Sequence, residues 1–388
     1  MSPPVVVTAK GAARWQAGHP WIYRTDVATP GSGAGIVGVT DRKNRFLGQA
    51  LHSPASEIRL RLLTQDETPV DRAWWARMIA RAVARRVALA PRATAYRVAH
   101  AEGDGLPSLI VDRYGDYVVV QLLSAGIEAV RADVIGAVGD VLAPRGILLR
   151  NDASVRRRER LPLETVEVAG VVPDLVDVSE GDVRYRVPLR TGQKTGAFLD
   201  QRANRELMST LAQAGGRALD LFTYHGLFAL HLSRCASHVI AVDSSAPALE
   251  LAHDNAALNG RTNIEWVDAN VFDLLRTYQR EGRRFDTIVL DPPAFAKHRG
   301  ALSRALAGYK EINLRAMRLL GDGGLLFTAS CSFHVSRGAF FQMLGEAAVD
   351  SGRRLALERI VGQSSDHPEI VTIPETGYLK GAVLRAMD

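Results

Sequence analysis

The chain has 388 residues, 47% hydrophobic and 23% charged, a core-forming composition that excludes a disordered protein, and at about 150 residues per domain its length suits two or three domains. Its 48 basic and 42 acidic residues leave a net charge of +6, a mild excess that suits a polyanionic partner. Only Cys235 and Cys331 are present, which excludes a disulfide framework or cysteine-rich metal site, and there is neither a leader pattern nor an apolar run of about 18 residues; the expectation is a cytoplasmic protein without metal or membrane partner.

Residues 1–72 read as a small all-β domain, with short strands at 5–7, 35–39, 46–50 and 58–62 separated by glycine and proline. In the last of these Ile58, Leu60 and Leu62 face one way, and Arg59 and Arg61 the other, either toward phosphate or toward solvent. Residues 73–186 change pattern. A helix over 74–89 carries Arg77, Arg81, Arg85 and Arg86 as a stripe at spacings of three and four, a footprint for nucleic acid or a solvated face. A hairpin joins 109–111 to 117–123, a helix near 125–142 precedes a strand at 146–149, and Arg156-Arg157-Arg158 falls in a loop. This is an α+β middle domain with no catalytic constellation of its own.

Over residues 187–388 strands and helices alternate, the pattern of a doubly wound parallel α/β sheet. Strands are expected at 218–222, 238–243, 264–268 and 285–290, and helices from the turn at 223–226 to about Cys235 and at 246–258. Asp291-Pro292-Pro293 ends the fourth strand, because proline cannot donate to a ladder and disfavours helix in the residue before it. A helix over about 303–320 follows, Gly321-Asp322-Gly323-Gly324 stops it, and 325–329 forms the next strand, parallel to the fourth. If the two are neighbours, their tips lie roughly 5 Å apart and Asp291 and Cys331 touch one flat ring together.

Ligands of such sheets bind outside the carboxyl ends of the strands. Asp243, Asp268 and Asp291 stand at three of those ends, with Asp220 just inside the first strand. Asp243 follows Asp220 at about the spacing at which nucleoside-binding folds place the carboxylate that takes ribose hydroxyls. The first turn lacks G-x-G-x-x-G, which disfavours a pyrophosphate and a dinucleotide oxidoreductase; a nucleoside without phosphates, commonly S-adenosylmethionine, fits better.

Further stretches carry a resemblance: His19-Pro20-Trp21, Ser53-Pro54-Ala55-Ser56, Glu102-Gly103-Asp104-Gly105-Leu106-Pro107, Lys194-Thr195-Gly196, Leu199-Asp200-Gln201-Arg202, Gly308-Tyr309-Lys310, Ser330-Cys331-Ser332, Asp366-His367-Pro368 and Tyr378-Leu379-Lys380-Gly381. With Asp291-Pro292-Pro293 they make the chain similar to the bacterial 23S rRNA cytosine-C5 methyltransferases, class I S-adenosylmethionine-dependent enzymes with a PUA-like amino-terminal domain. The resemblance implies a PUA-like domain, an α+β middle domain and a seven-stranded Rossmann-like methyltransferase domain. It implies RNA, specifically 23S rRNA, as partner, with the first two domains holding it, and admits a homodimer. Phe222, Tyr224 and Gly226 of the first turn would approach the methionine part of S-adenosylmethionine. Asp220, Asp243 with Ser244, and Asp268 would hold the nucleoside; Asp291 and Pro292 would border it, and Gln201 and Arg202 would lie near it from outside the sheet.

Cytosine C5 is not nucleophilic, and a thiolate added at C6 makes it so. Cys331 is then the catalytic nucleophile and Asp291 the acid at N3, whereas Cys235 reads as core. Where relatives usually carry Thr and Gly in the first turn this chain has His225 and Leu227, and Ala294 replaces a frequent Lys after Asp-Pro-Pro. Methylation of an exocyclic amine or ring nitrogen through Asp291-Pro292-Pro293, and a non-catalytic RNA-binding assembly factor, remain open beside this reading.

Overall fold

In the alternating half of the chain the strands fall where the apolar, β-branched runs place them. They are β1 (Arg217–Leu221), β2 (His238–Asp243), β3 (Ile264–Asp268), β4 (Phe285–Leu290), β5 (Leu320–Ser330), β6 (Leu355–Gly362) and β7 (Lys380–Ala386). Their order in the sheet is β3-β2-β1-β4-β5-β7-β6. The first five are parallel; β7 runs antiparallel to β5 and to β6. Helices α1 (Arg202–Leu211), α2 (Leu227–Leu232), α3 (Ala246–Leu258), α4 (Val271–Arg280), α5 (Leu302–Leu319) and α6 (Arg337–Ser351) cover it. A computed structural model describes residues 4–296 and 299–387.

Strand alternation sends Leu219, Leu221, Ile240, Val242, Ile288 and Leu290 to a core shared with α4, α5 and α6. Their neighbours Ala218, Val239, Ala241 and Val289 pack with Met208 of α1 and Phe228 of α2 on the other face. At about 2 kcal/mol for each large aliphatic side chain fully buried, both faces must be covered, and that requirement makes the sheet doubly wound. Strand order reverses between β1 and β4, so the crevice for a ligand opens above Leu221 and Leu290, which are register partners.

One local expectation fails. Helix α5 runs directly into β5, and the glycine run that was to separate them lies inside the strand, where the pairing slips between Phe285–Leu320 and Thr287–Leu325. Gly323 there has φ +70, and a Cβ on Gly324 would lie 3.0 Å from Gly321 O, so these glycines form a bulge rather than a stop.

The chain divides into two compact units. The second, just described, comprises Asp182–Arg186, Asp200–Ser364 and Gly377–Asp388; the first comprises Met1–Gly181, Val187–Leu199 and Ser365–Thr376. Within the first, a six-stranded sheet is built from Trp21–Tyr23, Ile58–Thr64, Phe46–His52, Gly35–Thr40, Val5–Val7 and Val27–Thr29 in that order. A helix at Ala9–Gln16, which the all-β expectation missed, packs Ala12 and Trp15 against this sheet. A five-stranded sheet follows, ordered Glu164–Gly170, Gly146–Asn151, Tyr117–Leu122, Leu109–Tyr114 and Ala95–His100. Its core includes Trp75 and Ile79 of the helix Arg72–Ala84, Val134 and Val138 of the helix Arg131–Leu142, and Leu51 and Leu63 of the first sheet.

Three arginines of this unit are not where their pattern put them. Arg61 is buried and pairs with Glu159 at 3.3 Å, so it faces neither phosphate nor solvent. Arg86 leaves the exposed stripe and is buried on Asp104 at 2.6 Å, whereas Arg77 and Arg81 are exposed. Arg156 lies in a helical turn, Val155–Arg158, fully buried against Glu128 at 2.9 Å.

A candidate active site at the carboxyl edge of the sheet

The turn after β1 is held in an uncommon backbone. Phe222 (φ +64), Tyr224 (φ +51) and Gly226 (φ +78) are all left-handed, at a cost of about 1–2 kcal/mol for each of the two non-glycine residues. Two carboxylates pay it back: Asp220 accepts from the Thr223 hydroxyl and from Ala229 N (2.9 Å), and Asp243 accepts from Tyr224 N (2.9 Å). Thr223 N also donates to Val242 O of β2 at 2.9 Å. Gly226 is required, since a Cβ there would sit 2.7 Å from the Trp266 ring and 3.0 Å from Ala252. His225 stacks on Tyr224 with centroids 3.6 Å apart, and burial pushes its pKa down to about 4, so the imidazole is neutral at pH 7.

Asp220 is enclosed beneath this turn. Desolvation, reinforced by the charges of Asp291 and Asp243, pushes its pKa up to about 7, and the pairing of β1 with β2 and β4 sets the three acids along one edge of the sheet. Asp243 also accepts from Ser245 N at 3.0 Å and is the register partner of Asp268 on β3. Ser244 and Asp268 are exposed. This row can receive the hydroxyls and amine of a nucleoside. Gln201 and Arg202 are buried at the start of α1, where Gln201 Oε1 accepts from Asn204; α1 packs on α2, the helix that leaves the turn.

Across the crevice, β4 and β5 are adjacent and parallel with Leu290 opposite Thr328, as expected. Their tips are stitched together. Tyr309, fully buried in α5, places its hydroxyl 2.9 Å from Ser332 Oγ and 3.5 Å from Pro293 O, while Ala296 N donates to Ser332 Oγ at 3.3 Å. Pro292 is buried, and Asp291 and Cys331 are partly exposed at the ends of the two strands. A third strand joins them: Lys380 opens β7 opposite Ser330, and its ammonium donates to Ser332 O (2.6 Å) and Tyr378 O (3.0 Å). Burial pushes the Lys380 pKa down to about 8. Neither Tyr309 nor Lys380 had a site role from the residues alone: Tyr309 counted only as an apolar position of its helix and Lys380 appeared only inside a familiar stretch, and the signal that could have found them was a Tyr and a Lys at otherwise apolar positions.

Cys235 is partly buried with its thiol donating to Leu232 O at 3.3 Å, in keeping with a structural place. A half-buried thiol flanked by serines, one residue from a carbonyl that holds an ammonium and at the tip of the strand next to the one that ends at Asp291, suits nucleophilic attack on a planar ring held over the crevice. Among the described residues no helix is long and apolar enough to cross a membrane.

Comparison with known proteins bears on the family and the fold. A family model described as S-adenosylmethionine-dependent methyltransferase matches residues 153–384, and one described as a PUA-like domain matches residues 5–65. Proteins named ribosomal RNA large subunit methyltransferase I from Klebsiella pneumoniae (strain 342) and Escherichia coli (strain K12) are both 38% identical to the chain. The alignments cover 99% of this chain and 98% of the first relative, and 95% and 96% for the second. A methyltransferase solved in complex with SAH superposes with a TM-score of 0.85 at 20% identity, over 98% of this chain and 99% of that one. An S-adenosylmethionine-dependent methyltransferase from Streptococcus mutans gives 0.83 at 20% identity over the same shares.

Proposed function

The chain belongs to the family of S-adenosylmethionine-dependent methyltransferases, and from that premise we propose that it methylates C5 of a cytosine in large-subunit (23S) ribosomal RNA through a covalent bond between Cys331 and C6 of the base. The names of the 38% identical relatives support the ribosomal substrate. The observation that carries the chemistry is the stitched pair of strand tips, which keeps Cys331 and Asp291 at one crevice beside the Phe222–Gly226 turn.

Asp243 and Asp268 fit the ribose and adenine of S-adenosylmethionine, the turn fits its amino-acid end, and the group supplies an electrophilic methyl carried on a sulfonium. The protein's residues do the rest. The Cys331 thiolate adds to C6 and moves an electron pair into the ring, while Asp291, once it is protonated or shares a proton with the base, relieves the charge at N3. C5 becomes enamine-like and takes the methyl group; a water at the open crevice then takes the C5 proton, the C5–C6 double bond re-forms as the thiolate is expelled, and N3 returns its proton to Asp291. Gln201 and Arg202 would border the cofactor from α1. Holding the RNA falls to the PUA-like segment 1–72 and the α+β segment 73–186, ahead of the methyltransferase segment 187–388.

RNA containing 5-fluorocytidine has no C5 proton to lose, so the expected result is a covalent protein–RNA adduct that disappears in Cys331→Ala. Methylation that persists in Cys331→Ala, at a nitrogen by mass spectrometry, would sink the cytosine-C5 reading.

A further inference from the structure

Lys380 is only 5% exposed, and an ammonium taken out of water costs several kcal/mol unless something offsets it. Two carbonyls, Ser332 O and Tyr378 O, take two of its three N–H groups. Both could be satisfied by a neutral donor, so they do not explain a charge. The group that does is Cys331. The ammonium is bonded to Ser332 O, one residue past the thiol, and an ionised Cys331 there would favour the ammonium form against burial as the ammonium would favour the thiolate. The register fixes the arrangement, because Lys380 pairs with Ser330, the residue just before the thiol.

The other charged and titratable groups around the pair come from every element packed there. Arg337 at the start of α6 adds a second positive charge. Tyr309 of α5, its pKa raised by burial, holds Ser332 through its hydroxyl. Tyr378, on the approach to β7, has its hydroxyl turned to Asp200 at 2.7 Å. Asp291 stands at the tip of β4. A cation beside a thiol stabilises the thiolate, the form that attacks.

We propose that Lys380 is the positioning residue of the reactive thiol: it ties down the Ser330-Cys331-Ser332 turn through Ser332 O and keeps the Cys331 sulfur ionised, its proton released to solvent before the base arrives. This rests on Cys331 being the nucleophile.

The test is the pH dependence of iodoacetamide alkylation in full-length Cys235→Ser protein, where Cys331 is the remaining thiol. In that protein the midpoint is expected below the roughly 8.5 of a free thiol. Lys380→Met should raise it by at least one unit, slowing alkylation at pH 7 about tenfold, and Lys380→Arg should recover most of the shift. A midpoint unmoved by Lys380→Met, with only the melting temperature lowered, would leave Lys380 a structural clip and overturn the proposal. Should Lys380→Met fail to fold, a midpoint at or above 8.5 in the parent protein overturns it as well. Retained methylation in Cys331→Ala would instead remove the premise, whatever the alkylation midpoint.

Discussion

Buried acids are treated in opposite ways by the two units. In the first, Asp104 and Asp112 are met by guanidinium groups: Arg86 takes Asp104 at 2.6 and 2.7 Å, and Arg97 takes both oxygens of Asp112 at 2.8 Å, with Thr195 Oγ1 also on Asp112. In the second, Asp220 is met by a hydroxyl and a peptide N–H while Asp291 and Asp243 crowd it, and its pKa rises to about 7. Matched charge makes the first network a brace. In the second, burial together with gathered like charge raises the proton affinity of the innermost acid.

Breaking the brace should have the largest effect. Asp104→Ala leaves Arg86 buried without its carboxylate and should cost about 3–5 kcal/mol in urea denaturation. Next comes the turn over Asp220: Gly226→Ala forces a left-handed alanine against Trp266 and should lower S-adenosylmethionine affinity at least tenfold by calorimetry, with about 1–3 kcal/mol lost in stability. Asp220→Asn sharpens the contrast through pH. A carboxyl whose pKa is raised on folding gives stability that is full below its unfolded value of 3.8 and is lost as pH rises toward 7. Relative to wild type, the variant should therefore gain stability between pH 4 and 7, by at most about 1.4 kcal/mol per unit of the shift. A difference that stays flat with pH would mean Asp220 is not protonated in the fold. The smallest effect is expected at the exposed arginines: Arg77→Ala with Arg81→Ala should change stability by less than about 0.5 kcal/mol, while the salt dependence of RNA binding becomes shallower.

Legibility followed the same division. The second unit is built from local signals, a β-branched run such as Phe285–Leu290 and a helical period such as that of α5, so its first five strands and the acids at their tips were readable, whereas β6 and β7 were not placed from the residues. What defeated the pattern was arginine. Arg61, Arg86 and Arg156 look like surface residues until Glu159, Asp104 and Glu128 arrive from 98, 18 and 28 residues away. The helix Ala9–Gln16 was missed for a related reason: with Gly11 and two basic residues in eight, only Ala12 and Trp15 mark its buried face as apolar. At the site, the residue types at the tips were visible, but the clamp of Tyr309 and Lys380 depends on α5 and β7 being brought to one turn, which no local spacing encodes.

The segment Ser365–Thr376 carries a consequence for how the chain is made. It belongs to the first unit, where Asp366 receives Arg97 N at 2.9 Å and its carbonyl receives Arg86 from 280 residues earlier. Synthesis runs from the amino terminus, so the first unit waits, incomplete, while β1 through β6 are translated, and only then gains the piece that closes its brace. Neither unit can be cut out as a continuous gene fragment, and ribosome-bound chains halted before Asp366 should expose the segment around Arg86, just past the helix Arg72–Ala84, to protease.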